Sequence, residues 1–124
     1  MNNPSVFVLP EAPAAPELAC DLGAFDAAER ELHAVSGERL RQAVQAIEEL
    51  PDGYALRLPA TDDAIRLSAD FVAYERRCCP FFNFNLEVSP DGGPLWLRIT
   101  GRAGVKAFLE GEFASEAAHV EPNN

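Results

Sequence analysis

The sequence contains three cysteines, and two of them, Cys78 and Cys79, are adjacent. Adjacent Cα atoms lie about 3.8 Å apart across a trans peptide bond, whereas disulfides prefer about 4.4–6.8 Å. A disulfide within the pair would therefore be strained and easily reduced. Thiolates are preferred ligands of soft ions such as Zn(II), Hg(II), Cu(I) and As(III). The pair therefore predicts a soft-metal or metalloid site. The identity of the ion, zinc or mercury among others, stays open.

Two thiolates do not complete a structural zinc site, which takes four ligands. We expect Cys20 to supply a third thiolate, although it lies far from the pair in the sequence. Glu75, Arg76 and His33 are predicted as supporting groups around the thiols. Phe81 belongs to an aromatic segment that is interpreted mainly as core, and it is the member of that segment that would line a pocket.

Charges near the pair have opposing effects on the formation of a thiolate. Arg76 and Arg77 favour a thiolate, whereas the C-terminal end of a helix carries partial negative charge and disfavours one. Pro80 places the pair at such a helix end, because proline stops a helix. A bound cation would be the largest local charge and would overcome the opposition, which favours metal binding over an unaided redox thiol.

Two alternatives remain open. In the first, the protein is a thiol-redox enzyme in which one cysteine of the pair attacks and Cys20, or a cysteine of a partner subunit, resolves. In the second, it is an interaction module whose cysteines are inert and buried, since free cysteine often behaves as a small apolar residue. The sequence lacks the G-x-S-x-G, P-loop, G-x-G-x-x-G, H-E-x-x-H and C-x-x-C motifs, so whether it catalyses any reaction is undecided.

Composition excludes several classes of partner. The chain has 124 residues, a formal net charge of -10 and only 10 lysines and arginines, which argues against nucleic acids and anionic membranes. We find no apolar stretch approaching the roughly 18 residues that span a bilayer, and no signal sequence at the N-terminus. The odd number of cysteines predicts free thiols in a reducing cytoplasm.

Periodicity predicts a single α+β domain over residues 18–113, between a Pro/Ala-rich flexible arm (1–17) and a polar tail (114–124). A helix is expected from Asp26 to Leu50, followed by a strand, a second helix from Thr61 to the cysteine pair, two strands and a last helix. The order α-β-α-β-β-α implies a small, mainly antiparallel three-stranded sheet packed against two or three helices. Exposed sheet edges of this kind are often covered by homodimerisation.

The segment from Glu75 to Phe84 contains the motif E-R-x-C-C-P-F-F and, with downstream and upstream segments, resembles a group of small, functionally uncharacterised bacterial proteins. The similar stretches cover roughly residues 18–113 and include the regions around Cys20, Glu29, Leu50–Tyr54, Leu95–Gly101 and Gly104–Leu109. The resemblance implies that Cys20 and His33 belong to the same pattern as Cys78 and Cys79. It implies no particular activity.

Overall fold

The computed structural model describes the backbone of residues 21–120 and the side chains of residues 21 and 23–112. Residues 1–20, which comprise the predicted arm (1–17) and the stretch with Cys20, lie outside the described residues, as do residues 121–124. The described part of the chain confirms the α+β class, with three α-helices and one antiparallel sheet. None of its helices combines the length and the apolar character that are needed to cross a bilayer.

A short 3₁₀ helix leads into an alternation of helices and strands. The elements are the 3₁₀ helix Leu22–Ala24, α1 Ala27–Ala43, β1 Ala46–Leu50, β2 Gly53–Leu58, α2 Asp62–Cys78, β3 Asn83–Val88, β4 Leu95–Thr100 and α3 Val105–Val120. The sheet has the order β1-β2-β4-β3, and every neighbouring pair is antiparallel.

The prediction of three strands is wrong, because β1 occupies residues that were assigned to the first helix. Helix α1 ends at Ala43, and Val44 follows it with extended backbone angles (φ -67°, ψ 125°). Ile47 pairs with Leu56 and is 50% exposed, so its helix-like spacing from the apolar residues before it does not reflect a buried helix face. A two-residue turn then joins β1 to β2, since Leu50 and Gly53 are paired. A tight hairpin thus gives β1 backbone hydrogen bonds to β2.

The helix starts agree with the sequence prediction. Asp26 caps α1, where its carboxylate accepts a hydrogen bond from the Glu29 amide at 2.8 Å and the Glu29 carboxylate accepts one from the Asp26 amide at 3.1 Å. Thr61 caps α2 by accepting from the Ala64 amide at 3.0 Å. Both caps fix where the two helices begin, and hence which turns of α1 and α2 meet.

The core lies between the helices and one face of the sheet. Leu56 on β2, Leu97 on β4, and Val105 and Leu109 on α3 belong to one buried cluster. A second, smaller cluster forms where α2 ends and consists of the buried residues Phe25, Cys78 and Cys79. The cysteine pair therefore lies outside the main core, at the end of α2 that is close to the start of α1.

Two predictions about the periphery have different outcomes. Helix α3 extends to Val120, so a helix continues through residues that were predicted as the start of a polar tail. Strands β1 and β3 form the two edges of the described sheet. The homodimer that was expected to cover such edges stays a prediction.

Candidate metal centre

Three potential ligand atoms converge where the last turn of α2 meets α1. His33 Nε2 lies 2.8 Å from Glu75 Oε1 and 3.5 Å from Cys78 Sγ. All three atoms lie within 4.8 Å of one another. Cys78 is fully buried, whereas the side chains of His33 and Glu75 are 19% and 14% exposed, so the cluster reaches solvent on the side of the imidazole and carboxylate.

Local structure explains why these side chains meet. Glu75 and Cys78 are three residues apart on α2, a spacing that places both on the same helix face. His33 comes from the middle of α1, and its ring packs at a centroid distance of 5.3 Å against the buried ring of Phe25. The packing of α1 against α2 thus supplies the imidazole to a pair that α2 already presents.

The arrangement of the three atoms differs from that of a catalytic triad. In a triad, one ring nitrogen of the histidine faces the nucleophile and the other faces the acid. Here the same nitrogen, Nε2 of His33, faces both Glu75 and Cys78. Ligands of one ion point to a common centre in this way.

The distances also suit a tetrahedral ion. Zn–N bonds of about 2.05 Å and Zn–S bonds of 2.3 Å place nitrogen and sulfur about 3.6 Å apart at a tetrahedral angle. The observed separation of His33 Nε2 and Cys78 Sγ is 3.5 Å. The Glu75 oxygen, now hydrogen-bonded to the imidazole at 2.8 Å, would have to move outward by about 0.6 Å to reach the equivalent edge length.

Burial dominates the electrostatics of the two acidic groups. It raises the pKa of the Cys78 thiol to about 12, with the negative charges of Glu75 and Asp21 adding to the effect. Burial also raises the pKa of Glu75, although its hydrogen bond to His33 acts in the opposite direction. The thiol is therefore protonated near neutral pH, and a cation would be needed to stabilise the thiolate and the carboxylate together.

Cys79 differs from its neighbour, although its side chain is equally buried. Its Sγ lies 3.5 Å from Cys78 Sγ, so the pair is not bonded to itself. Cys79 is disulfide-bonded, whereas Cys78 is free. The expectation of free thiols throughout therefore does not hold for Cys79 in this state. Cys20, predicted as the third thiolate, lies outside the described residues.

The other residues that were predicted to support the thiols are Arg76 and Phe81. Arg76 is exposed. Phe81 is partly buried and contacts the rings of Phe82 and Phe108 at centroid distances of 4.9 and 5.4 Å, as expected of a core residue. Arg77, which was considered as a source of positive charge for the thiols, hydrogen-bonds instead to the Glu29 carboxylate at 3.1 Å.

Arg77 also ties the beginning of α1 to the end of α2. Its guanidinium donates to the Ala24 carbonyl at 3.3 Å and stacks 4.8 Å from the centre of the Phe25 ring. The Asp21 amide donates to the Cys78 carbonyl at 2.6 Å. These contacts hold the segment before α1 against the cysteine pair.

The sequence predicts His33 and Glu75 as supporting groups, whereas the structure places them with Cys78 as possible ligands. Glu75 and Cys78 are three residues apart and therefore share a helix face, which could have identified Glu75 as a possible ligand. No comparable signal existed for His33, because its position depends on how α1 packs on α2.

Comparisons of the chain with protein-family models, with curated proteins and with solved structures found no significant match. The resemblance inferred from the E-R-x-C-C-P-F-F motif thus stays a prediction.

Proposed function

We propose that the protein binds a thiophilic metal ion, with Cys78 Sγ, His33 Nε2 and Glu75 Oε1 as ligands. The observation that carries the proposal is the convergence of three different ligand atoms within 4.8 Å of one another around a buried thiol. This set differs from the predicted thiolate ligands Cys78, Cys79 and Cys20, for which His33 and Glu75 were supporting groups.

The mixture of donor atoms favours zinc among the ions considered. One sulfur, one imidazole nitrogen and one carboxylate oxygen are all ordinary zinc ligands. Hg(II), Cu(I) and As(III) are better served by sites that consist of sulfur alone. Zinc also accepts three protein ligands with a fourth position left for water or another group.

The thiol-redox alternative receives less support from the same geometry. A general base that activates Cys78 would need to accept its proton, but the His33 nitrogen that lies close to its sulfur also contacts the Glu75 carboxylate at 2.8 Å. Burial further raises the pKa of Cys78, which lowers its reactivity as a nucleophile. A metal-bound role requires neither a free base nor a thiolate that is stable on its own.

Zinc titration of the purified protein tests the proposal. We expect one Zn(II) per chain, and Co(II) in the same site should show a sulfur-to-metal charge-transfer band that is lost in Cys78→Ser. His33→Ala and Glu75→Gln should weaken binding by more than the roughly 10–100-fold that is typical of outer-shell partners.

Matched controls distinguish a site from general loss of charge or histidine. His119→Ala removes the other histidine of the chain. Glu87→Gln removes an exposed carboxylate that pairs with Arg98 on the sheet. Both variants should bind zinc as the wild type does. Absence of zinc binding at micromolar protein, or equal losses in the controls, would refute the site.

A further inference from the structure

We propose that the redox state of Cys79 controls the metal centre: reduction of its disulfide releases a fourth ligand and tightens metal binding. This inference rests on the proposed function and concerns the regulation of the same site. It starts from the contrast between the two adjacent sulfurs, of which Cys78 is free and Cys79 is disulfide-bonded.

The released sulfur would lie close to the place where a fourth ligand is needed. Two Zn–S bonds of 2.3 Å at a tetrahedral angle separate their sulfur atoms by about 3.8 Å. The Sγ atoms of Cys78 and Cys79 are 3.5 Å apart. Both side chains are fully buried, so neither sulfur faces solvent.

The backbone holds Cys79 in this position independently of its disulfide. Its amide donates to the Glu75 carbonyl at 2.7 Å, which continues the hydrogen bonding of α2 for one more residue. Its backbone angles (φ -127°, ψ 73°) lie outside the helical region, where the following Pro80 is expected to force them. Opening of the disulfide would therefore leave the Cys79 sulfur near Cys78.

The chemistry requires a reductant, for which we name a cellular dithiol. The dithiol gives two electrons and two protons, its own sulfurs join in a disulfide, and the S–S bond of Cys79 breaks to leave two thiols. Zinc binding then displaces the protons of the Cys78 and Cys79 thiols to solvent. The site changes from three ligands (nitrogen, oxygen and one sulfur) to four with two sulfurs, the closed arrangement typical of structural zinc.

One cysteine variant isolates the contribution of the fourth ligand. Cys79→Ser removes that ligand, so binding should stay at the weaker, oxidised level even in a phosphine reductant. Thermal unfolding of this variant checks that it is folded.

The measurement is a Zn(II) competition titration of the full chain, with and without the phosphine. We expect reduction to tighten binding by the wild type at least about tenfold and to increase the Co(II) charge-transfer band about twofold as a second thiolate binds. Peptide mapping of the unreduced protein should find Cys79 in a disulfide and Cys78 as a free thiol.

The failures of the two proposals are distinguishable. Equal zinc affinity of the oxidised and reduced wild type refutes redox control and leaves the three-ligand site intact. Absence of zinc binding in both states refutes the metal centre itself. Cys79 found as a free thiol in the unreduced protein refutes the disulfide on which the redox control rests.

Discussion

Zinc affinity should rise steeply with pH and should continue to rise where an ordinary thiol has already lost its proton. The reason is the buried thiol of Cys78, whose pKa is raised to about 12. Each Zn(II) that binds must displace this proton, so affinity gains a factor of about ten per pH unit below that pKa. From about pH 7 to about pH 9.5, Cys78 alone therefore gives an increase of about 300-fold, against about 30-fold for a thiol that titrates near 8.5.

The assay is competition with a chelator of known zinc affinity at each pH, performed on the oxidised protein so that Cys79 contributes no proton. A curve that levels above about pH 8.5 would refute the desolvated thiol. The metal-free protein offers a second readout with a defined sign. Because the folded state keeps a proton that the unfolded chain has lost, its free energy of unfolding should fall as pH rises above about 8.5.

Three further predictions concern the fold and can be checked by urea denaturation. Gly53→Ala should lower the free energy of unfolding by about 3 kcal/mol, because the new Cβ would lie 2.0 Å from the Ile99 carbonyl oxygen. Gly92→Ala, in open space at φ +70°, should lower it by only about 1 kcal/mol. Equal losses would contradict the close approach of β2 and β4. Leu97→Ala, at a fully buried position of β4, should cost about 2–5 kcal/mol, and a cost below 1 kcal/mol would argue against its burial. Ser68→Ala should raise the free energy of unfolding by about 1 kcal/mol, because the buried Ser68 hydroxyl has no hydrogen-bond partner among the described residues; a loss of stability would reveal one.

The sequence carried the local signals of the fold but not the end of the first helix. Capping residues Asp26 and Thr61 marked the starts of α1 and α2 correctly, because a cap acts through the next three residues. Ile47 was misassigned because its distance from the preceding apolar residues fits a helix as well as an edge strand. Only its pairing with Leu56, which is a tertiary contact, distinguishes the two.

In the candidate site, too, local sequence patterns indicate some residues, whereas the position of another depends on tertiary packing. The chemistry of Cys78 was recognisable from its type and its neighbour, and Glu75 shares its helix face by spacing alone. The contact with His33 joins residues 45 positions apart, and no local pattern specifies it. The sequence also could not predict that Cys78 is free and Cys79 is disulfide-bonded, because the two residues are adjacent and chemically identical.

The carboxylate of Glu29 takes part in two structures at once. It accepts the Asp26 amide in the cap of α1, and it accepts the Arg77 guanidinium from the last turn of α2. Fraying of the first turn of α1 therefore also releases the end of α2 that carries the cysteines, and loosening of that end weakens the cap. Amide protons on both sides of this junction should exchange with solvent at one common rate, as a single cooperative unit that opens ahead of the sheet.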